Sequence, residues 1–196
     1  MRRILVSQRV DILSDRNERR DALDQKLTEL LSFIDGIVLP VPNYLVQNKK
    51  LCSWLLENNA DGVVLSGGND IGEAPERDET EFQLINYAKR HKKPLLGICR
   101  GMQVMAAYEG IGLLPVEGHI RTMHKLRGEI EGEVNSFHNF SIESCPNSYR
   151  CLAYSEDQQI EAIRHTELPW EGWMWHPERS SIFSPLDVRR LKALFG

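Results

Sequence analysis

The feature that most constrains this chain is an alternation in its first hundred residues, where short apolar runs rich in β-branched residues are separated by stretches of helical period. "RILVS" (3–7), "GIVLPVP" (36–42), "DGVVLSGGND" (61–70) and "PLLGI" (94–98) supply the strands. Between them, Ala22, Leu23, Leu27, Leu30, Leu31 and Ile34 form one apolar stripe, and residues 47–58 form a second helix. A third spans 78–91 and carries Phe82, Leu84, Ile85, Tyr87 and Ala88. Strands joined through helices pair in parallel, and a run such as Val63-Val64-Leu65, apolar at every position, is buried on both faces. The expected class is α/β, with a doubly wound, mostly parallel sheet and helices on both faces.

Local signals place the element ends. Asp15 followed by Glu18 has the spacing of a capping box opening the first helix, and Gly67-Gly68 end the third strand in a tight loop. Residues 113–150 lack a clear period and read as loops and short strands around a site. "CLAYS" (151–155) and "QIEAIRH" (159–165) read as a hairpin, and "GWMWHPE" (172–178) as a further strand. Ser184-Pro185 starts a closing helix whose inner face is Val188, Leu191, Leu194 and Phe195.

A chain of 196 residues is one domain's worth, and residues 1–196 are read as a single domain with a sizeable core. With 24 basic and 28 acidic residues and no long run of like charge, the chain has no nucleic-acid arm. The knots Arg2-Arg3, Arg19-Arg20 and His91-Lys92-Lys93 fit a solvated surface. The apolar run in "MRRILVSQRV" is too brief for a signal peptide, and no segment has the length of a membrane span. A cytoplasmic protein with no membrane or nucleic-acid partner is expected, and a homo-oligomer is left open. Cys52, Cys99, Cys145 and Cys151 show no Cys-x-x-Cys spacing, which argues against a zinc site or a disulfide framework. No His-Glu-x-x-His pattern appears either, so no metal or other cofactor is expected.

The chemistry points to Cys99. Gly97-Ile98-Cys99-Arg100-Gly101 has the spacing of a nucleophile elbow, where a strand turns sharply into a helix and side chains two residues away would collide. Such a turn exposes the thiol at the strand's carboxyl end and aims free helix N–H groups at it, which should lower its pKa. The Arg100 amide is the natural oxyanion donor, with a second expected from the Gly67-Gly68 loop. A nucleophilic cysteine also needs a base and an orienting acceptor. "WMWHPE" offers His176, with Glu178 two residues on and Pro177 stiffening the turn. His91, His119, His124 and His165 are read as structural.

Cys99, His176 and Glu178, in that order, resemble the catalytic triad of class I glutamine amidotransferases and their relatives, the γ-glutamyl hydrolases. "LSGGNDI" (65–71), "RDETE" (77–81), "PLLGICRGMQ" (94–103), "VNSFHN" (134–139), "QIEAI" (159–163) and "WMWHPE" (173–178) fall in the family's order and at its spacing. The resemblance implies a flavodoxin-like fold and attack of Cys99 on a γ-glutamyl amide, with His176 as base and acid and Glu178 orienting it. It also implies an oxyanion hole from the Arg100 and Gly68 amides, and a glutamyl pocket using Gln103, Ser136, His138 and Asn139. Two stretches depart from it: His138-Asn139-Phe140 replaces a His-His-Gln run, and "AAYEGIG" (106–112) replaces an Asn with paired glycines. The first change lies where the leaving group would be sensed.

A narrower resemblance lies in "SQRVDILSDRNERRDALD" (7–24) and "PVPN" (40–43). It implies a nucleotide-linked substrate, γ-glutamyl-CDP-amidate, cleaved to glutamate and cytidine diphosphoramidate during capsule modification. Arg9, Arg16 and Arg19 are the candidates to meet its diphosphate. No synthetase domain follows Gly196, so a free-standing hydrolase is the expectation. The alternatives are a glutaminase that passes ammonia to a separate synthetase, a hydrolase of another γ-glutamyl amine, and a redox-sensing protein. The last is disfavoured because a sensor cysteine needs neither a base nor its orienter.

Overall fold

A computed structural model describes residues 1–196. The chain opens with Arg2–Ser7 (β1), a hairpin of Arg9–Leu13 (β2) and Glu18–Ala22 (β3), helix Gln25–Ser32 (α1) and Gly36–Val41 (β4). Tyr44–Gln47 (α2), Leu51–Asn58 (α3), Gly62–Leu65 (β5), Pro75–Arg90 (α4), Leu95–Ile98 (β6) and Arg100–Tyr108 (α5) follow. The second half is mainly strands: Leu113–Pro115 (β7), Ile120–Gly128 (β8), Gly132–Phe137 (β9), Phe140–Ile142 (β10), Tyr149–Tyr154 (β11), Ile160–His165 (β12) and Trp170–Trp173 (β13), closed by Pro185–Phe195 (α6).

Nine strands make one mixed sheet in the order β4-β1-β5-β6-β13-β12-β11-β8-β9. Pairing is parallel from β4 to β13 and antiparallel from β13 to β9. Alternation of side chains along the parallel strands splits the core in two. Leu5, Val63 and Leu95 face α3, α4 and α5, while Ile4, Val6, Val64 and Leu96 face α1 and α6. Each face therefore has its own apolar cluster, which is why these strands carry no polar alternation. The expected doubly wound class is the one observed.

Four local readings are corrected. Asp15 and Glu18 cap nothing: residues 9–22 form the β2–β3 hairpin, turned by a short 3-10 segment and by Asn17 at φ 51°, and α1 is capped by Asp24, whose side chain accepts from the Lys26 amide at 2.9 Å. The hairpin is anchored by tertiary bonds, with Asn69 accepting from the Val10 amide at 2.8 Å and donating to its carbonyl at 3.0 Å. The helix expected over 47–58 starts only at Leu51, as α3; Tyr44–Gln47 form the separate short α2, and Lys49 in the left-handed region (φ 58°) separates them. The helix expected at 78–91 starts earlier, at Pro75, since proline is favoured in a first turn. Residues 113–150 are more ordered than their polarity suggests, because β8 and β9 pair over most of their length as the outer arm of the sheet. The hairpin of β11 and β12 and the α6 start, with Ser184 accepting from the Leu186 amide, follow the sequence reading.

Candidate active site

At the end of β6 the chain turns within one residue into α5. Cys99 still belongs to the ladder through its N–H, which donates to the Trp173 carbonyl at 2.7 Å, while its own carbonyl accepts from Gln103 at 3.2 Å as the first helical bond. To do both, Cys99 takes φ 51° and ψ −106°, a conformation that a β-carbon disfavours. The flanking glycines have physical reasons. A β-carbon on Gly97 would lie 2.6 Å from the Gly101 carbonyl carbon, and one on Gly101 would overlap the Leu65 carbonyl of β5.

Cys99 lies in a cavity of about 260 Å³ whose lining includes Gly68, Arg100, Gln103, His138, Asn139, His176 and Arg179. His176, buried just beyond β13, has Nδ1 2.6 Å from Glu178 Oε1. Its remaining nitrogen, Nε2, is then the one available for proton transfer. The histidine is fixed through its backbone: Asn135 on β9 accepts from the His176 amide at 2.9 Å and donates to its carbonyl at 2.8 Å. Its ring packs on Gly67, where a β-carbon would come within 2.5 Å of Cε1, and meets the Phe137 ring edge to face. A larger cavity of about 370 Å³ beside Cys52 and Leu55 lies between α3 and α4, with no comparable pairing of histidine and carboxylate.

Burial pushes the Cys99 thiol up to about 12, opposite to the lowering expected from the helix terminus; the Arg100 N–H and then the Arg179 guanidinium pull it only partly back. At rest the sulfur is a thiol. Beneath it, two buried arginines tie the elbow to the loop after β5. Arg77 donates to the Ser66 and Gly67 carbonyls at 2.7 and 2.9 Å and to Glu81 at 3.2 Å, and the Arg100 side chain pairs with Glu81 and Asp78. Burial lowers these guanidinium groups to about 10 and about 9, so both stay charged at neutral pH. This is the structural role of "RDETE".

The sequence profile described as Glutamine amidotransferase class-I matches residues 34–189, and this span contains the elbow, the β5 loop and the His176 turn. The chain belongs to that family. Members of this family hydrolyse glutamine or γ-glutamyl amides.

Among class-I amidotransferase relatives, this chain is 38% identical over 132 residues to the γ-glutamyl-CDP-amidate hydrolase of Campylobacter jejuni, covering 64% of this chain and 66%, just under two thirds, of that one. It is 31% identical over 161 residues to one of the subunits of the glutamine-hydrolysing GMP synthase of Methanococcus aeolicus, covering 76% and 82%. A crystal structure from Thermoplasma acidophilum, provisionally described as a GMP synthase component, superposes with a TM-score of 0.74 at 22% identity, over 100% of this chain and 94% of that one. That last likeness is one of fold.

The structure separates the other amidotransferase positions drawn from the sequence. Gln103 lines the cavity with its Nε2 donating to the Phe140 carbonyl at 2.8 Å, and His138 and Asn139 line it as well. Ser136 does not: it is fully buried and its hydroxyl donates to the His119 carbonyl at 2.7 Å, bracing β8 against β9. Arg9 is brought into a recess shared with Gly68, His176, Glu178 and Arg179. Arg16 lies at the exposed hairpin tip, 3.6 Å from Asp15, and Arg19 pairs with Glu76 on α4, so neither reaches the cavity. The hairpin that replaces the expected helix puts these two arginines out of reach. Asn135 and Arg179 carry no assigned role in the sequence reading, although Asn135 lies within "VNSFHN" and Arg179 directly follows "WMWHPE". A second cluster, His119, His124, His138 and Glu161, adjoins the cavity through His138.

Proposed function

We propose that residues 1–196, acting as one domain, hydrolyse γ-L-glutamyl-CDP-amidate to L-glutamate and cytidine diphosphoramidate for capsule modification in the cytoplasm, where four free cysteines stay reduced. The observation that carries the catalytic reading is the 2.6 Å His176–Glu178 contact beside a cysteine held at a strained elbow in the same cavity. His176 Nε2 takes the Cys99 proton as Sγ bonds to the γ-carbonyl carbon. The oxyanion is met by the Arg100 and Gly68 amides. The C–N bond then breaks, His176 returns the proton to the departing nitrogen, and a γ-glutamyl thioester remains. Water, deprotonated by His176, attacks this thioester; glutamate leaves and Sγ recovers its proton. Because burial raises the Cys99 thiol pKa, the nucleophile forms by transfer of its proton to this base. Glu178 orients the imidazole and stabilises its charge. Gln103, His138 and Asn139 hold the glutamyl end.

The nucleotide-linked substrate is supported by the likeness to the Campylobacter jejuni hydrolase and by Arg9 and Arg179 in the recess beside His176. The likeness to the GMP synthase of Methanococcus aeolicus favours a second reading, a glutaminase delivering ammonia to a synthetase partner. Glutamate release by the isolated chain from glutamine, simple γ-glutamyl amines and γ-glutamyl-CDP-amidate separates them. The first reading expects turnover of the nucleotide substrate without a partner, with less than roughly a hundredth of that activity left in Cys99→Ala. Inertness on all three, relieved by a synthetase, would establish the second. Full activity of Cys99→Ala would overturn both.

A further inference from the structure

No metal-binding spacing appears in the sequence, yet the fold gathers four ligand-type side chains from three separate strand segments. His119 precedes β8, His124 lies within it, His138 follows β9, and Glu161 lies on β12. Each presents one donor atom, and the four atoms lie within 4.8 Å of one another. His119 Nδ1 is 3.3 Å from His138 Nε2, His138 Nε2 is 3.6 Å from Glu161 Oε1, and His119 Nδ1 is 3.9 Å from the same oxygen. Tetrahedral zinc with bonds of about 2.0–2.1 Å sets its donors about 3.3 Å apart. Small side-chain adjustments would therefore close the site.

The hydrogen bonds around the cluster decide what its donors offer. His119 Nε2 meets Asp157 Oδ2 at 2.8 Å, and His138 Nδ1 meets the Phe140 carbonyl at 3.0 Å. Each acceptor calls for the ring proton on that outer nitrogen, which leaves His119 Nδ1 and His138 Nε2 as bare lone pairs pointing at each other. Glu161 is fully buried and neither of its carboxylate oxygens has a hydrogen-bond donor; His124 Nε2 is also buried without a partner. Lone pairs and a carboxylate converging in a dry interior repel one another unless a cation sits among them. A carboxylate or backbone carbonyl behind each ligating imidazole is also the outer shell by which proteins orient metal-bound histidines.

We propose that His119, His124, His138 and Glu161 form a closed tetrahedral site for Zn²⁺. Three imidazoles and one carboxylate suit zinc and ions of similar softness, whereas calcium and magnesium take sets dominated by oxygen with more ligands. Four protein ligands leave no open position, so the ion is structural. It would pin the β8–β9 arm to β12 and hold the 138–139 segment against the cavity. The buried Ser136 hydroxyl and the His138 amide, 2.7 and 3.2 Å from the His119 carbonyl, frame the same corner. The site shares His138 with the glutamyl-holding set, leaving that residue's backbone and ring face to the substrate, and its test reads metal content and stability rather than turnover.

Metal analysis of the untagged chain, purified without chelator, tests it. About one zinc per chain is expected, with Glu161→Gln and His124→Ala each retaining less than about a tenth of it. Cobalt(II) added to the metal-free chain should give the strong visible absorption of a tetrahedral site, and zinc added back should raise the melting temperature. If the variants fail to fold, the cobalt and zinc titrations of the unaltered chain decide. A chain without zinc that shows neither the cobalt spectrum nor a thermal response holds a shared proton there instead, and the proposal falls. It falls equally if both folded variants keep the full metal content, since the thiols would then be the ligands.

Discussion

At the scale of single residues, the site is shaped by groups whose partners the fold has already chosen. His176 presents one nitrogen because Glu178 occupies the other, while Asn135 fixes its backbone and Gly67 and Phe137 pack against its ring. Arg9 differs from the other arginines of its segment in one respect: it shares a recess with His176 and Arg179, while Arg16 and Arg19 are directed away. Its guanidinium is held at Asp11, 2.8 Å from Nε, which fixes its direction without burying the whole group. Arg9→Ala should therefore raise KM for γ-glutamyl-CDP-amidate roughly tenfold, the loss of one charged hydrogen bond, with little change on a plain γ-glutamyl amide. Arg16→Ala should change neither. Steady-state kinetics on the two substrates checks this; equal effects on both would remove Arg9 as a contact to the nucleotide.

At the scale of elements, the elbow depends on how closely α5 approaches β5. Gly101, in the first turn of that helix, lies so close to β5 that a β-carbon there would overlap the Leu65 carbonyl, and the opposing group is backbone in a fully buried strand, with no flexible side chain to yield. Gly101→Ala must push α5 away from the sheet. We expect a cost of about 3 kcal/mol, in the range for overpacking a tight interior, and for a chain of this size a fall in melting temperature of about 6–12 °C. Calorimetry checks this, and a Tm within about 2 °C of the parent would show that the helix shifts freely. The β2–β3 hairpin shows the limit of local inference. Asp15 and Glu18 have capping-box spacing, but Val10 is buried and bonded through Asn69, and Asp21 is bonded to Asn43. Those distant partners outweigh the local signal, because an exposed polar segment has little intrinsic preference of its own.

At the scale of the whole molecule, the two apolar clusters on either face of the sheet place α6 over the outer end of one of them, with a cost near its start. Asp187 in its first turn is buried, and burial pushes its carboxyl up to about 6, with Trp175 and Arg190 pulling the other way. The folded chain thus keeps a proton that the unfolded chain releases near pH 4. This contribution to stability is complete below about pH 4 and is lost as pH rises through about 6, a change of about 3 kcal/mol. The difference in unfolding free energy between Asp187→Asn and the parent should shift by that amount over this window, in favour of the variant at the higher pH. Urea midpoints at both ends measure it, and a constant difference would show that Asp187 ionises normally in the folded chain.

The sequence by itself determined the parallel half of the sheet and the class of chemistry. Runs apolar at every position can be satisfied only between two layers of helices, and the glycine at 97 answers a steric demand made by the turn that follows it, although the demand at Gly101 comes from the Leu65 carbonyl of β5. The spacing of "WMWHPE" likewise delivers the His176–Glu178 contact, since both groups lie on one short turn. Only the tertiary structure decided the rest. It reversed the expected direction of the Cys99 pKa, because depth of burial is set by the residues that cover the thiol and outweighs the local helix terminus. It moved Ser136 into the packing of the arm and left Arg16 and Arg19 outside the cavity, because a hairpin, unlike a helix, carries its turn away from the sheet. It also brought His119, His124, His138 and Glu161 together from separate strands, where no spacing rule applies because strand pairing, rather than chain proximity, sets the distances between them.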